Sequence, residues 1–480
     1  MTLQCFTLNA LSVALGAVVL GNTTRCLRFG RAALALSSFL FVDYLKAESV
    51  STFFEEERRA TSAVYAKDLV SGKTLVAFNQ DLPLKPASVQ KLALSAAALE
   101  FLGPEYRWRT PVYLEGVRGG RAQVLSVVGT GDPSLTTESL WMMARAIKKQ
   151  GISSIDRIVL DDSGYIETRA RTGTNAYQGR PTALALNYNA FAIEVCPTIA
   201  GDVPRVLIDP LEYRLPFQNR AKTYRRSDAP LTIDEDEGCG SDKCAQRFSI
   251  TGSVAEGGPC ASEYRSVAHI REYFAQVFTA FLRQLGIGGT MAIEYAPVKA
   301  GITPTFFHQS DTLVEVLTGL NRFSTNVTAD QVVYALGRER EMSSYSRGMD
   351  RIRQYVKSFS FDPAVSLHDG SGLSHDNRLT AESIVAILDR QYTRTDIAAE
   401  FMSTLSVWGR SGTLKSRRAV RSSVTIRGKT GSLDGVSTLA GYILRDRKPP
   451  IAFAILQNRV ASKQKAIDIE SQVIARLIGS

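Results

Sequence analysis

Three short groups of residues carry the hydroxyl, amine and amide side chains that nucleophilic catalysis needs. They are SVQK at residues 88–91, STN at 324–326 and KTG at 429–431, in that order along the chain. A serine hydroxyl becomes a nucleophile only when a nearby base takes its proton. Residues three apart on a helix lie on the same face, about one turn from each other. The spacing therefore predicts that Lys91 serves Ser88 as that base.

The electrostatic surroundings of Lys91 decide whether it can act in this way. An amine accepts a proton only when it is neutral, and burial or a nearby cation would lower its pKa. Lys429 is the candidate for that cation. Because Ser88 stands at the start of a predicted helix, the helix dipole and the free backbone N–H groups would favour an oxyanion developing beside it.

The other two groups suit proton relay and substrate positioning. The hydroxyl of Ser324 can pass a proton between the base and a leaving group, and the amide of Asn326 can orient the base and the substrate. The KTG group follows a predicted strand, and on a sheet edge an extended substrate could pair with that strand. In that arrangement Lys429 and Thr430 would hold a carboxylate, and Gly431 would leave room for close approach.

Each group also has an ordinary structural interpretation. Ser88 could cap a helix whose Lys91 lies on the surface. The STN group could cap the following helix, and KTG could form a hairpin turn. The occurrence of all three groups in order, each in a suitable local setting, favours the catalytic interpretation.

Competing catalytic chemistries find little support in the sequence. The four histidines form no HExxH or comparable pair, and neither a GxSxG nucleophile elbow nor a P-loop occurs. The sequence therefore predicts a hydrolase that needs no metal and no cofactor.

The first fifty residues are typical of an exported protein. Apolar runs at Leu8–Leu20 and Ala32–Phe41 are separated by arginines, and Leu45-Lys46-Ala47 resembles a cleavage site. Both runs are shorter than the roughly 20 residues of a membrane-spanning helix. We interpret residues 1–47 as a signal peptide, with an uncleaved N-terminal anchor as the alternative. The expected location is the periplasm, with peripheral membrane association through the N-terminus if the anchor is kept.

The cysteines that follow residue 47 agree with export. They are Cys196, Cys239, Cys244 and Cys260, an even number that fits an oxidising compartment and one or two disulfides. Four cysteines allow three full pairings, and the sequence does not choose among them. The spacing of Cys239 and Cys244 is not that of a zinc ribbon, and no histidine stands near them, so a structural disulfide is favoured over a metal site.

The net charge restricts the surroundings of the protein. The 480 residues include 57 Lys and Arg against 47 Asp and Glu, a formal net charge of +10. A basic protein is compatible with anionic wall polymer, anionic membrane or nucleic acid. Because zinc fingers, RNP-like aromatic motifs and long basic runs are absent from the sequence, we expect no nucleic-acid partner.

Hydrophobic patterning predicts a sheet completed by both ends of the chain. The early part carries a strand pair at Ser62–Leu69 and Thr74–Phe78, followed by a helix that begins at Val89. The late part carries three strands and a closing amphipathic helix: Ser423–Arg427, Leu439–Leu444, Ile451–Leu456 and Gln464–Ile478. Between them, from about residue 108 to 295, short strands and turns dominate.

With these residues in place, the sequence resembles a known family. SxxK, SxN and KTG are the motifs shared by penicillin-binding proteins and class A β-lactamases. Longer stretches, GTGDPSL (129–135), ALNYNA (185–190), HDGSGLSHDNR (368–378), GRSGTLKSR (409–417) and GKTGSLDGVSTLAGY (428–442), resemble one branch. That branch is the low-molecular-mass class C penicillin-binding proteins, serine D-alanyl-D-alanine carboxypeptidases/endopeptidases of peptidase family S13 of the penicillin-binding protein 4 type. The similarity runs from about residue 52 to the end.

The resemblance implies a fold and a domain organisation. The implied class is α+β: a penicillin-binding/β-lactamase-like transpeptidase domain, with an antiparallel sheet flanked by helices and a large inserted domain. The catalytic domain would comprise residues 48–108 and 301–480. The inserted domain would comprise residues 109–300, with a smaller β-rich insert at about 201–252. Such an insertion explains the long separation between the SVQK and STN groups.

The resemblance also implies residue roles. Ser88 would be the acylated nucleophile, Lys91 the proton acceptor and Ser324 the relay, while Asn326 and Lys429 would position the substrate. Thr325 stands where the family often has Asp, and its side chain is not the catalytic one of that motif.

The predicted function is a periplasmic serine DD-peptidase of peptidoglycan. It would hydrolyse D-Ala-D-Ala in stem peptides, and cross-links by the same chemistry, and β-lactam antibiotics would acylate Ser88. The alternatives are a β-lactamase or esterase-like hydrolase, and a catalytically silent wall-binding protein. The sequence does not indicate an oligomeric state.

Overall fold

The computed structural model describes residues 52–57, 60–170, 172–226, 229–236, 245–299, 301–359 and 362–479. The predicted signal peptide or anchor over residues 1–47 therefore lies outside the described residues, as do Cys239 and Cys244. In the part of the chain that is described, no helix combines the length and apolar character needed to cross a bilayer.

The described chain contains both α-helices and β-strands. The α-helices are α1 Lys91–Leu102, α2 Thr137–Lys149, α3 Ile270–Gln284, α4 Leu313–Phe323, α5 Asn326–Leu336, α6 Tyr345–Lys357, α7 Ala381–Thr393, α8 Ala398–Ser403 and α9 Lys463–Gly479. The strands are β1 Thr61–Asp68, β2 Thr74–Phe78, β3 Arg109–Glu115, β4 Arg121–Val128, β5 Ser154–Asp161, β6 Ala190–Cys196, β7 Arg205–Asp209, β8 Phe217–Asn219, β9 Lys222–Tyr224, β10 Thr232–Glu235, β11 Phe248–Thr251, β12 Ser253–Ala255, β13 Ala261–Ser266, β14 Ala292–Tyr295, β15 Phe306–Gln309, β16 Arg338–Glu339, β17 Met342–Ser343, β18 Ser406–Val407, β19 Val424–Leu433, β20 Val436–Arg445 and β21 Lys448–Asn458.

The sheet that we name sheet A joins the two ends of the described chain. Its strand order is β18-β19-β20-β21-β1-β2, and its neighbours pair antiparallel. Strand β1 lies between β2 and β21, with Thr61 opposite Asn458 and Asp68 opposite Ile451. Residues 451–458 of β21 are all buried, and the apolar run Ile451–Leu456 is typical of a strand covered on both faces. The prediction of a sheet completed by both ends is confirmed.

Helix α1 lies at the centre of the packing beside sheet A. Its sequence, KLALSAAALEFL, is buried from Lys91 to Leu99, and it contacts α4, α5, α6 and α7. The small alanine side chains let neighbouring helices approach closely, and a helix that is apolar all round is buried. It ends at Gly103, whose φ of 82° suits a residue without a side chain. The first turn of α1, with Lys91, is thus held on every side.

Residues 109–309 form further sheets with their own apolar core. Sheet B has the strand order β14-β5-β4-β3-β15, and smaller sheets have the orders β13-β6-β7, β10-β11-β8 and β12-β9. Their buried side chains, with those of α2 and α3, form a hydrophobic cluster distinct from the one around α1. A disulfide joins Cys196 to Cys260, with their Cα atoms 4.1 Å apart. Of the pairings that the sequence left open, this is the bond that the described residues contain.

Candidate active site

Ser88 lies in a tight turn immediately before α1. The turn spans Ala87–Gln90 and is a 3-10 helix, so the α-helix begins at Lys91 rather than at Val89 as the sequence predicted. Ala87 adopts a left-handed φ of 47°, a strained conformation for a residue with a side chain. Such strain persists only where the surroundings fix the backbone, and it is common at functional sites. Ser88 itself is half-buried.

Two glycines pack closely against this turn. A Cβ atom on Gly372 would lie 2.2 Å from the carbonyl oxygen of Ala87, and Gly372 has a φ of 86°. A Cβ atom on Gly431 would lie 2.8 Å from the backbone N of Ser88 and 2.8 Å from the carbonyl oxygen of Pro86. Only glycine permits both approaches. The KTG segment therefore packs directly on the backbone that carries Ser88.

Lys91 is fully buried, and three oxygen atoms surround its amine. Lys91 Nζ donates to Ser88 Oγ at 2.9 Å, to Asn326 Oδ1 at 2.8 Å and to the carbonyl oxygen of Ser371 at 2.5 Å. Burial lowers the pKa of Lys91 to about 7, while the carboxylates of Asp369 and Asp330 act in the opposite direction. An amine with this pKa can gain and lose a proton near neutrality. The alternative of a surface lysine is wrong.

The STN group forms the junction between α4 and α5. Ser324 ends α4 with a left-handed φ of 62°, and Asn326 is the first residue of α5. Lys429 Nζ donates to Ser324 Oγ at 2.8 Å, while Asn326 Nδ2 donates to the carbonyl oxygen of Tyr177 at 3.0 Å. The two residues thus bring one hydroxyl and one amide to the amines of Lys429 and Lys91.

Lys429 is also fully buried. Burial lowers its pKa well below the ordinary value, and the nearby charge of Lys91 lowers it further. The sequence predicted that Lys429 would lower the pKa of Lys91. The structure shows burial as the main cause of the lowered pKa of Lys91, and the two neighbouring amines repel each other's charge.

The KTG group lies inside strand β19 and is not a hairpin turn. Strand β20 pairs with β19 along its whole length, from Val424 to Leu433. On the other side β18 pairs only with Arg427 and Gly428, and within the described residues no strand pairs with residues 429–433 there. Thr430 Oγ1 donates to Thr413 Oγ1 at 2.8 Å. This part of β19 is the open edge that an extended peptide could join.

A loop to which no chemical role was assigned from the sequence completes the surroundings of Lys91. The carboxylate of Asp369 accepts hydrogen bonds from the backbone N–H groups of Gly372 and Ser374 at 2.8 Å each, and from Asn377 Nδ2 at 2.9 Å. Gln90 Nε2 donates to the carbonyl oxygen of Asp369. These bonds fix the carbonyl of the following Ser371 against Lys91. The loop lies in HDGSGLSHDNR, which the sequence marked only as a resemblance.

A cavity of about 610 Å³ opens beside the STN group. One wall consists of residues 323–327, and the other comes from residues 136–138, 175–177, 187–188, 190–192, Asp209 and Tyr264. The cavity is therefore a cleft between the α4–α5 junction and the segment that follows β3. In the cavity and in the rest of the described chain, no group of three or more His, Cys, Asp or Glu side chains is arranged to hold a metal ion.

The chain is similar to known proteins along most of its length. A family model described as the D-Ala-D-Ala carboxypeptidase 3 (S13) family matches residues 46–477. The D-alanyl-D-alanine carboxypeptidase of Actinomadura sp. (strain R39) is 28% identical over 432 residues, which cover 83% of this chain and 78% of that protein.

Solved structures show the same fold. Penicillin binding protein 4 of Haemophilus influenzae aligns with a TM-score of 0.72 at 22% identity, covering 89% of this chain and 99% of that chain. A second structure of that protein, complexed with a β-lactam, aligns with a TM-score of 0.70 at 21% identity and the same coverage. The predicted α+β class with an antiparallel sheet flanked by helices is confirmed. The enzyme class predicted from the sequence, a serine-type D-Ala-D-Ala carboxypeptidase, is also confirmed. The chain belongs to the D-Ala-D-Ala carboxypeptidase 3 (S13) family.

Proposed function

We propose that this chain hydrolyses the D-Ala-D-Ala bond of peptidoglycan stem peptides through an acyl-enzyme on Ser88. The observation that supports this most strongly is the contact of Ser88 Oγ with the buried amine of Lys91 at 2.9 Å. A lysine whose pKa is lowered to about 7 is neutral often enough at physiological pH to act as a base.

In the first step, neutral Lys91 takes the proton of Ser88 Oγ, which attacks the carbonyl carbon of the penultimate D-alanine. A new C–O bond forms, and the carbonyl oxygen becomes an oxyanion. Backbone N–H groups of the turn that carries Ser88 stabilise that charge, because the turn stands at the N-terminus of α1.

In the second step, the tetrahedral intermediate collapses and the C–N bond breaks. The nitrogen of the leaving D-alanine receives the proton held by Lys91. Ser324, whose Oγ accepts a hydrogen bond from Lys429 Nζ, relays this proton. Water then attacks the ester, giving its proton to Lys91, and the peptide acid leaves as Ser88 Oγ is protonated again. When the leaving amine belongs to a cross-link, the same steps constitute endopeptidase activity.

Substrate positioning follows from the open edge of β19. An extended peptide adds to this edge by backbone hydrogen bonds, with Asn326 orienting the peptide, and Gly431 lets the edge pack directly on the turn that carries Ser88. Lys429 and Thr430 hold the terminal carboxylate. The cleft beside residues 323–327 receives the rest of the stem peptide.

β-Lactams are expected to acylate Ser88, because their ring is a strained analogue of the scissile amide. The test uses a fluorescent penicillin and a D-Ala-D-Ala peptide with wild-type protein and the Ser88→Ala variant. Ser462→Ala is the matched control, since Ser462 and Lys465 form a second SxxK group, at the start of α9. We expect the variant at residue 88 to lose both labelling and D-alanine release, and the control to keep both.

Other outcomes would support the alternative functions. Steady nitrocefin hydrolysis without D-alanine release would favour a β-lactamase or esterase-like enzyme. Binding of peptidoglycan without any turnover would favour a wall-binding protein. Labelling that survives Ser88→Ala would contradict the assignment of the nucleophile.

We also propose the domain organisation and location that the resemblance implied. Residues 48–108 and 301–480 would form the DD-peptidase domain and residues 109–300 the inserted domain, and the separate hydrophobic clusters support this division. A disulfide between Cys196 and Cys260 supports an oxidising compartment, and thus the periplasm. The N-terminal sequence of protein recovered from the periplasmic fraction tests this: a start near residue 48 supports cleavage, and a start at Met1 supports the anchor.

A further inference from the structure

A buried carboxylate lies close to the catalytic groups, and the mechanism above makes no use of it. Asp330 is on α5, one turn after Asn326, and its side chain is almost fully buried. Its Oδ1 accepts a hydrogen bond from Tyr345 Oη at 2.7 Å, and its Oδ2 lies 3.5 Å from Arg169 Nε. A buried carboxylate is retained only when such partners compensate for the loss of water.

Tyr345 connects this carboxylate to the loop that contacts Lys91. Besides donating to Asp330, Tyr345 Oη accepts a hydrogen bond from the backbone N–H of Gly370 at 3.0 Å. Gly370 immediately precedes Ser371, whose carbonyl oxygen accepts from Lys91 Nζ. Asp330 therefore reaches Lys91 by two routes, through Tyr345 and the loop to Ser371, and along α5 to Asn326.

Arg169 comes from the segment that follows sheet B strand β5, and this segment is firmly attached to α6. The carboxylate of Glu167 accepts hydrogen bonds from Ser344 Oγ at 2.8 Å, Ser346 Oγ at 2.6 Å and the backbone N–H of Tyr345 at 2.9 Å. The guanidinium of Arg169 stacks over the ring of Tyr345 at 4.4 Å. The cation that faces Asp330 is thus held at a fixed position.

The charges in this region influence one another. The pKa of Asp330 is raised to about 6, chiefly by burial and also by Asp369, against the lowering effects of Arg169, the bond from Tyr345 and the amine of Lys91. In return, the carboxylates of Asp330 and Asp369 raise the pKa of Lys91, against the effect of burial. Lys429 is the other charged group beside Lys91. Asp330 at neutral pH therefore contributes negative charge to the surroundings of Lys91.

We propose that Asp330 is a positioning residue which, with Tyr345 and Arg169, holds the Ser371 carbonyl and the Asn326 amide against Lys91. The segment after β5 would then contribute to catalysis by aligning the base and setting its proton affinity. This inference rests on the proposed function, in which Lys91 is the base. The competing explanation is a buried ion pair that only anchors this segment to α5 and α6.

The first experiment measures the rate of acylation by a fluorescent penicillin from pH 5 to 9 for wild type and Asp330→Asn. Asparagine keeps an acceptor for Tyr345 Oη but removes the charge. Without that charge, the ammonium form of Lys91 is less stable, so its pKa falls and the acid limb of the profile moves to lower pH by about one unit. An unchanged acid limb together with a lower melting temperature would show that Asp330 only anchors the segment after β5.

The second variant, Tyr345→Phe, tests the geometric link without removing charge. Losing the hydroxyl releases the Gly370–Ser371 backbone, so we expect kcat to fall about tenfold to a hundredfold with little change in KM. Wild-type rates in this variant would contradict the link through Tyr345, and the variant also keeps the proposal testable if Asp330→Asn fails to fold.

Glu167→Gln is the matched control. This substitution weakens the attachment of the segment after β5 to α6. Because residue 167 makes no hydrogen bond to Asp330, we expect a lower melting temperature and an unchanged acid limb of the pH profile. The design separates two kinds of failure. If wild-type protein releases no D-alanine, the proposed function fails, whereas wild-type turnover with identical limbs in the variants overturns only the role of Asp330.

Discussion

Two regions of this molecule treat buried charge in different ways. Beside sheet A, the amines of Lys91 and Lys429 are fully buried, and burial lowers the pKa of both. Within residues 109–309, Asp132 and Asp161 are buried, and each carboxylate accepts hydrogen bonds from the backbone N–H and the hydroxyl of the serine two residues later, at 2.6–2.9 Å. The first region buries two amines beside the carboxylates of Asp330 and Asp369, and the second buries turn-forming acids.

The difference lies mainly in how far away the partners are in the sequence. The serine partners of Asp132 and Asp161 follow within the same turn, an arrangement that stabilises local backbone, although Asp161 also accepts from the distant backbone N–H of Val298. Two partners of Lys91, Asn326 and Ser371, are 235 and 280 residues away along the chain. A buried amine whose partners come from distant segments lowers the free energy of unfolding. Its shifted pKa is typical of the region where chemistry takes place. The acids support the fold, and the amines support the reaction.

The largest expected effect is that of Lys91→Met, which removes the amine while keeping most of the side-chain volume. We expect acylation by penicillin and D-alanine release to fall by about 10³-fold or more, because the base is lost. Wild-type Lys91 is neutral in the folded state and protonated in the unfolded state between about pH 7 and 10.5, so stability should rise with pH in that window. Denaturant unfolding at pH 7, 8.5 and 10 should show a smaller rise in the variant. Catalysis that persists in the variant would remove Lys91 from proton transfer.

The second effect is the pH dependence of the wild-type enzyme. Because Lys91 must be neutral to act and its pKa is about 7, the rate of acylation should fall about tenfold per pH unit below neutrality, and about a hundredfold at pH 5. Stopped-flow or gel-based labelling with a fluorescent penicillin measures this. A rate that stays level down to pH 5 would mean that the base has the pKa of a carboxylate.

A smaller effect is expected from replacing a tightly packed glycine, Gly431, than from the changes above. In Gly431→Ala, the new Cβ would lie 2.3 Å from Thr438 Oγ1 and 2.8 Å from the backbone N of Ser88, so the turn must shift. We expect about a tenfold loss of kcat/KM and about 1–3 kcal/mol of stability. Gly319→Ala, on α4, is the control, because its Cβ would meet no atom within 4 Å and alanine favours helices by about 1 kcal/mol. Full activity in Gly431→Ala would show that close packing at the turn is dispensable.

The smallest effect on catalysis is expected in the other region. Replacing both Cys196 and Cys260 with serine opens a loop with a sequence separation of 64, and this should lower the free energy of unfolding by about 2–4 kcal/mol. At 25 °C kcat should stay at the wild-type value, since this bond lies outside the residues around Ser88. A large fall in kcat of the folded double variant would contradict the division between the two regions.

Local patterns in the sequence predicted part of the geometry of the candidate site. Ser88 and Lys91 are three residues apart, so helical geometry alone indicated their contact, and the distance of 2.9 Å in the structure agrees. Their meeting with Ser324, Asn326 and Lys429 followed from motif order and resemblance, because no local rule brings segments so far apart together. The periodicity of α5 offered one further signal, since Asp330 lies one turn after Asn326 on a face that is buried.

Other features had no signal in the sequence. The Ser371 oxygen that contacts Lys91 belongs to the backbone, which every residue carries, so no side-chain pattern marks it. The 3-10 turn at Ser88 departs from the predicted helix because tertiary contacts from Gly372 and Gly431 shape it. The continuation of β19 through KTG was missed because Gly428 and Gly431 resemble turn residues, whereas here they permit close packing.

The position of β1 in sheet A determines when the enzyme can become active during its synthesis. Strand β1 precedes one of its two neighbours, β21, by most of the described chain, so β21 is translated long after β1. Until then the sheet beside Ser88 and Lys429 is incomplete, and pairing over so long a separation is slow. A truncated product that stops before residue 448 would lack this strand altogether and should be inert. The hydrolase can therefore act on no substrate before translation has passed β21.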